Sequence, residues 1–144
     1  MTAKPPDALE LATRALARRD FSERGLRERL RRAGVADAEQ DEALAALQRA
    51  GVIDDPRFAQ SRAQALAQRG KGDAAILFDL SRQGLSSETA EEALASLEPE
   101  RARAERVVAQ RGGGLTTARL LARRGFGDEA VEAAVARDHR AGLG

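Results

Sequence analysis

The sequence predicts an all-α protein, three tandem three-helix repeats in an elongated, curved array, and three observations carry that prediction. A ten-residue phrase occurs three times, as Leu26-x₃-Leu30-x₃-Gly34-Val35, Ile76-x₃-Leu80-x₃-Gly84-Leu85 and Thr117-x₃-Leu121-x₃-Gly125-Phe126. Its copies start roughly 40 to 50 residues apart, the period of helical repeat units. The apolar content is mostly alanine and leucine, aromatic residues make up only 3%, and β-branched residues are sparse, which favours helix over sheet. Capping residues, prolines and glycines also recur at helix-length intervals. In the first two copies apolar residues four apart share one helical face; the third opens on Thr117, so the repeat rests on the spacing and on the ending, in which the glycine stops the helix in the left-handed conformation and the next hydrophobe folds back over the last turn.

Residues 1–6, with Pro5-Pro6, are expected to be disordered. The first repeat covers 7–53. Asp7 caps its first helix, with Leu9, Ala12 and Leu16 on the inner face, and the helix stops near Arg19 and Asp20. Ser22 caps a second helix, which carries Leu26 and Leu30 and ends at Gly34. Asp37 caps a third, with Gln40 placed for a capping box and Leu44 and Leu47 continuing the period.

The second repeat covers 54–98 and opens on Asp55-Pro56, read as a cap followed by proline at the first helical position. Ala59, Ala63, Leu66 and Ala67 form its first stripe. A turn at 70–72 and a cap at Asp73 lead into the helix of Ile76 and Leu80. Ser86 or Ser87 then starts a helix with Ala90, Leu94 and Leu97 inward. The third repeat covers 99–138: Pro99 precedes a helix with Ala104, Val107 and Val108, a triple glycine at 112–114 precedes the middle helix, and Gly127-Asp128 starts the last, with Val131, Ala134 and Val135 inward. Residues 139–144 are expected to fray.

Catalysis has little to work with. The chain has no cysteine, one histidine (His139) and no convergent set of carboxylates, so an enzyme is not expected, nor a cofactor or metal. Asp54 and Asp55 read as helix-capping residues rather than an acid–base pair. The triple glycine lacks the lysine that a phosphate-cradling loop needs and reads as a permissive turn. Absence of cysteine and of a signal-like apolar stretch points to the cytoplasm. All four phenylalanines, Phe21, Phe58, Phe78 and Phe126, fall where a helical core would use them, which argues against base stacking.

The formal net charge of +1 conceals segregation. Arginine outnumbers lysine 22 to 2; from Arg14 to Arg32 eight arginines stand against three acids, and from Arg101 to Arg124 seven stand against Glu105 alone. Arg24, Arg27 and Arg31 lie three and four residues apart on one helical face beside Leu26 and Leu30. Two readings of that face are open: a set of phosphate donors, or a solvated face stabilised by Glu23–Arg27 and Glu28–Arg32 pairs.

The chain resembles the RecX family, bacterial regulators of the RecA recombinase. The resemblance starts with Ala15-Leu16-Ala17-Arg18-Arg19-Asp20-Phe21-Ser22 and Leu26-Arg27-Glu28-Arg29-Leu30. It is strongest at Leu47-x₃-Gly51-Val52-Ile53-Asp54-Asp55-x₂-Phe58-Ala59, and continues through Arg69-Gly70, Ile76, Leu80, Gly84-Leu85 and Arg124-Gly125-Phe126. The resemblance implies a non-enzymatic regulator that binds RecA and its filament on single-stranded DNA and inhibits ATP hydrolysis, strand exchange and filament growth. On this reading Arg24, Arg27, Arg31 and Arg32 are candidates for weak, sequence-independent phosphate contact, and Arg101, Arg103, Arg119 and Arg123 for the protein partner. A monomer is expected, because no heptad seam runs through the chain. A sequence-independent helical DNA-binding module, and a general helical adaptor without RecA specificity, stand as alternatives.

Overall fold

A computed structural model describes residues 7–143; the expected disorder of 1–6 and the last residue of the tail lie outside them. The described residues form nine α-helices: α1 Ala8–Arg18, α2 Glu23–Arg32, α3 Asp37–Arg49, α4 Asp55–Gln68, α5 Asp73–Arg82, α6 Ser87–Ala95, α7 Glu100–Arg111, α8 Leu115–Arg123 and α9 Asp128–Leu143. None of them is long and apolar enough to cross a membrane. Helix α9 continues through His139 to Leu143, where fraying is expected from the sequence.

The buried residues fall into three clusters, each drawn from three consecutive helices. Leu26, Leu30, Leu44 and Leu47 centre the first, Ala59, Ala63, Ile76 and Leu80 the second, and Ala104, Val108, Leu121 and Ala134 the third. The apolar positions of the repeated phrase, Leu26, Leu30, Ile76, Leu80 and Leu121, are thus among the most deeply buried residues of their clusters, and Thr117, which opens the third copy, is buried as well. Small alanines on the first helix of each unit let it lie close against the others.

Each copy of the phrase ends as its spacing predicts. Gly34, Gly84 and Gly125 have φ of +86°, +83° and +92°. The residue after each glycine donates its N–H back to the second apolar position: Val35 to Leu30, Leu85 to Leu80 and Phe126 to Leu121, at 3.0–3.2 Å. This bond closes the last turn and tucks the following hydrophobe under the helix.

Several local expectations shift. Helix α1 buries Ala8, Ala12 and Ala15, leaving Leu9 46% exposed, so its inner stripe is rotated by about one residue from the predicted one. Asp37 and Asp73 are the first helical residues rather than caps; Ala36 and Gly72 hold the cap positions. Gln40 is buried and donates its side-chain amide to the Val35 carbonyl, tying the α2 stop to α3 instead of closing a capping box. Asp54 caps α4 by accepting from the Arg57 N–H at 3.0 Å, with Pro56 in the first turn. Asp55 is therefore left free for another task. Phe78 is 65% exposed, contrary to its expected core position, because Ile76 and Leu80 on either side of it take the inward face of α5.

Candidate interface for partner and nucleic acid

The middle helices α2, α5 and α8 meet end to end. The Gly72 N–H donates to the Arg124 carbonyl at 2.8 Å and the Ala74 N–H to the Gly125 carbonyl at 3.1 Å, joining the start of α5 to the end of α8. Likewise Ser22, buried at the start of α2, donates its hydroxyl to the Gln83 carbonyl at the end of α5, 2.7 Å away. Each joint places the positive amino end of one helix dipole on the negative carboxyl end of another.

An acid at the start of the following unit caps each joint. Asp55, the first residue of α4, accepts from the Glu23 N–H at 2.9 Å. Glu100, the first residue of α7, accepts from the Asp73 N–H at 2.6 Å and, through its other oxygen, from the Gly127 N–H at 3.0 Å. These carboxylates satisfy donors that α2 and α5 cannot satisfy themselves.

The joints also explain two of the three glycines beyond their φ. A Cβ on Gly84 would run into the aliphatic stem of Arg24, and one on Gly125 would lie 2.6 Å from Ala75 Cβ and 2.7 Å from its backbone nitrogen. At Gly34, where the end of α2 abuts no other middle helix among the described residues, nothing lies within 4 Å.

This packing sorts the candidate arginines. Arg27 is half-buried and held by Asp41 at 2.6 Å and Glu23 at 3.6 Å; the hydrogen bond it donates to Asp41 is the main cause of its raised pKa, and the pair clamps α2 to α3. Arg24 is exposed, but its stem covers Gly84. Arg31 is exposed with no ion pair among the described residues, and Arg32 makes only an exposed pair with Glu28 at 3.3 Å. In the third unit Arg101 pairs with Glu105 at 3.4 Å, while Arg119 and Arg123 are exposed one turn apart on α8 without a carboxylate partner among the described residues.

Arg103 is not available to a partner, contrary to the sequence expectation. It is buried, donates to the Glu98 and Lys71 carbonyls at 2.9 Å each, pairs with Asp73, and lies 5.7 Å from the Phe126 ring. It joins the second unit to the third. Burial, followed by the nearby Glu100 charge, pushes the Asp73 carboxyl above its ordinary value, against the pull of Arg103.

Two further arrangements gather arginines. Arg32, Arg82 and Arg123 occupy the same position in their middle helices, two residues before the glycine, and all three are exposed. That column is written in the repeated phrase itself, in its polar rather than its apolar positions. The second is a groove of about 630 Å³ between α1 and α2, lined by arginines of both helices around Phe21. Its members converge only when the two helices pack.

The match to the second three-helix domain of RecX covers residues 54–94. The chain is 37% identical over 100 residues to the regulatory protein RecX of Syntrophotalea carbinolica, covering 69% of this chain and just under two thirds, 65%, of that protein. With the regulatory protein RecX of Halorhodospira halophila it shares 34% identity over 137 residues, 88% of this chain and 85% of the relative. The crystal structure of RecX from Lactobacillus salivarius superposes with a TM-score of 0.78 at 17% identity, covering 90% of this chain and 93% of that one. That likeness is one of fold.

Proposed function

The chain belongs to the RecX family of regulatory proteins, and from that premise we propose that it is a negative regulator of the RecA recombinase. In this reading it binds RecA and its filament on single-stranded DNA as a monomer in the bacterial cytoplasm, and it slows ATP hydrolysis, strand exchange and filament growth. The observation that carries the proposal is the arginine column, Arg32, Arg82 and Arg123, one exposed guanidinium at the same place in each of three units joined end to end. A polymer presents the same acceptor once per subunit, and a tandem array with one donor per unit is suited to engage several subunits together. Arg101 and Arg119 extend the partner surface in the third unit, while Arg24 and Arg31 are left to contact phosphate. Arg27 and Arg103 act in this scheme by fixing α2 on α3 and the second unit on the third.

The test is RecA ATPase on single-stranded DNA with substoichiometric amounts of this protein. Inhibition is expected, and the triple variant Arg32→Glu, Arg82→Glu, Arg123→Glu is expected to lose it while keeping its helical circular dichroism. Absence of both inhibition and filament binding by the unmodified chain would overturn the reading.

A further inference from the structure

We propose that the groove between α1 and α2 is a binding site for a run of closely spaced phosphate groups. One wall carries Arg18 and Arg19 and the other carries Arg29 and Arg32, with Phe21 between them and a volume of about 630 Å³. Glu28 is the one carboxylate in the lining, and Arg32 already engages it. Arg18, Arg19 and Arg29 have no ion pair among the described residues, so the groove holds several unneutralised guanidinium groups facing one space. Like charges gathered in a concave, partly apolar site repel one another, and an anion with several oxygens relieves that repulsion.

The arginines are also partly pre-positioned. The Arg19 guanidinium lies 4.3 Å from the Phe21 ring centre and that of Arg29 lies 5.9 Å away. Stacking on an aromatic face restrains the planar group and leaves its edge donors free, the geometry for bidentate phosphate contact. Phe21 itself is 7% exposed and offers no face to a base. The site therefore reads phosphates, not bases, and it is indifferent to sequence.

Such a run of phosphates comes either from a free polyphosphate or from a nucleic-acid backbone. The experiment titrates the full chain alone, without RecA, with inorganic tripolyphosphate in one arm and a twenty-nucleotide single-stranded DNA in the other. Saturable binding is expected in at least one arm: tighter binding of the oligonucleotide assigns the backbone as the source, and binding of tripolyphosphate at least as tight assigns the free anion. Arg18→Glu with Arg29→Glu is expected to weaken binding by more than about tenfold, and Arg18→Gln with Arg29→Gln, which removes two contacts, to lower the salt slope for single strands by about 1.4. The neutral pair serves for affinity too if the charge-reversed pair fails to fold. Arg49→Glu with Arg111→Glu makes the same charge change as the reversed pair at exposed sites outside the groove and is expected to bind as the unmodified chain does. No saturable binding in either arm, or equal losses from the groove pair and the distant pair, would overturn the proposal. Because RecA is absent, that failure would leave the regulator reading untouched.

Discussion

Replacing each glycine of the repeated phrase by alanine separates a helix stop from a helix joint. All three glycines have φ between +83° and +92°, so an alanine at any of them carries a left-handed backbone penalty of about 1 kcal/mol. At Gly34 that penalty is the whole effect, because nothing lies within 4 Å of the added methyl. At Gly84 the methyl meets the stem of Arg24, whose Cγ and Cδ can swing away but whose Cβ, 2.7 Å off, moves only with α2, and the expected loss is about 2 kcal/mol. At Gly125 it meets Ala75 Cβ at 2.6 Å and the Ala75 nitrogen at 2.7 Å, which are too rigid to yield. The joint must open, and the Gly72–Arg124 and Ala74–Gly125 backbone hydrogen bonds go with it. At about 1 kcal/mol each on top of the backbone penalty, the loss is about 3 kcal/mol. Urea unfolding followed by far-ultraviolet circular dichroism gives the ranking, and Gly125→Ala is also expected to broaden the transition as the third unit uncouples from the second. Equal losses at the three positions would refute the end-to-end joint as the reason for the last two glycines.

Asp54→Ala and Asp55→Ala are each expected to cost about 1 kcal/mol, but for different helices. Amide exchange at Glu23 should quicken only in the Asp55 variant, and exchange at Arg57 only in the Asp54 variant, since those are the N–H groups the two carboxylates accept. Arg103→Met keeps the length of the stem but strips Asp73 and two carbonyls of their donor, and a loss of about 2 kcal/mol in thermal or urea unfolding is expected. The raised carboxyl of Asp73 sets the sign of a pH effect. Stability from this group is fully present below its ordinary value of 3.8 and is lost as pH rises through the higher value it has in the folded chain. Asp73→Asn should therefore flatten the decline in unfolding free energy above pH 3.8 relative to the unmodified chain, and an unchanged profile would contradict the assigned shift.

Most of the fold was legible because helices and their ends are local. Leu30, Gly34 and Val35 lie within six residues of one another, and the bond that closes α2 involves no other part of the chain. Asp7, Ser22 and Ser86 cap their own helices by the same short reach. Which stripe of a helix faces inward was less secure, since an alanine-rich helix offers two nearly equal stripes. On α1 the packed helix buries Ala8, Ala12 and Ala15 and leaves Leu9 exposed.

The interface was legible only in part. Sequence spacing put Arg24, Arg27 and Arg31 on one face, yet Asp41 of α3 claims Arg27 and Gly84 of the next unit receives the Arg24 stem. Arg103 looked like any other residue of a basic run until Asp73, thirty positions earlier, was brought against it.

The sequence by itself determined that the chain is helical, where each middle helix stops, and which family it resembles. Capping, turn chemistry and apolar period act over a few residues, and the chain spells them out. Only the tertiary structure decided that Asp55 and Glu100 cap helices of the preceding unit, that Gly84 and Gly125 are joints while Gly34 is only a stop, and that Arg18 and Arg19 face Arg29 and Arg32 across one groove. Those outcomes depend on which surfaces meet when separate helices bury their apolar stripes, and on the donors and charges that burial leaves to be satisfied.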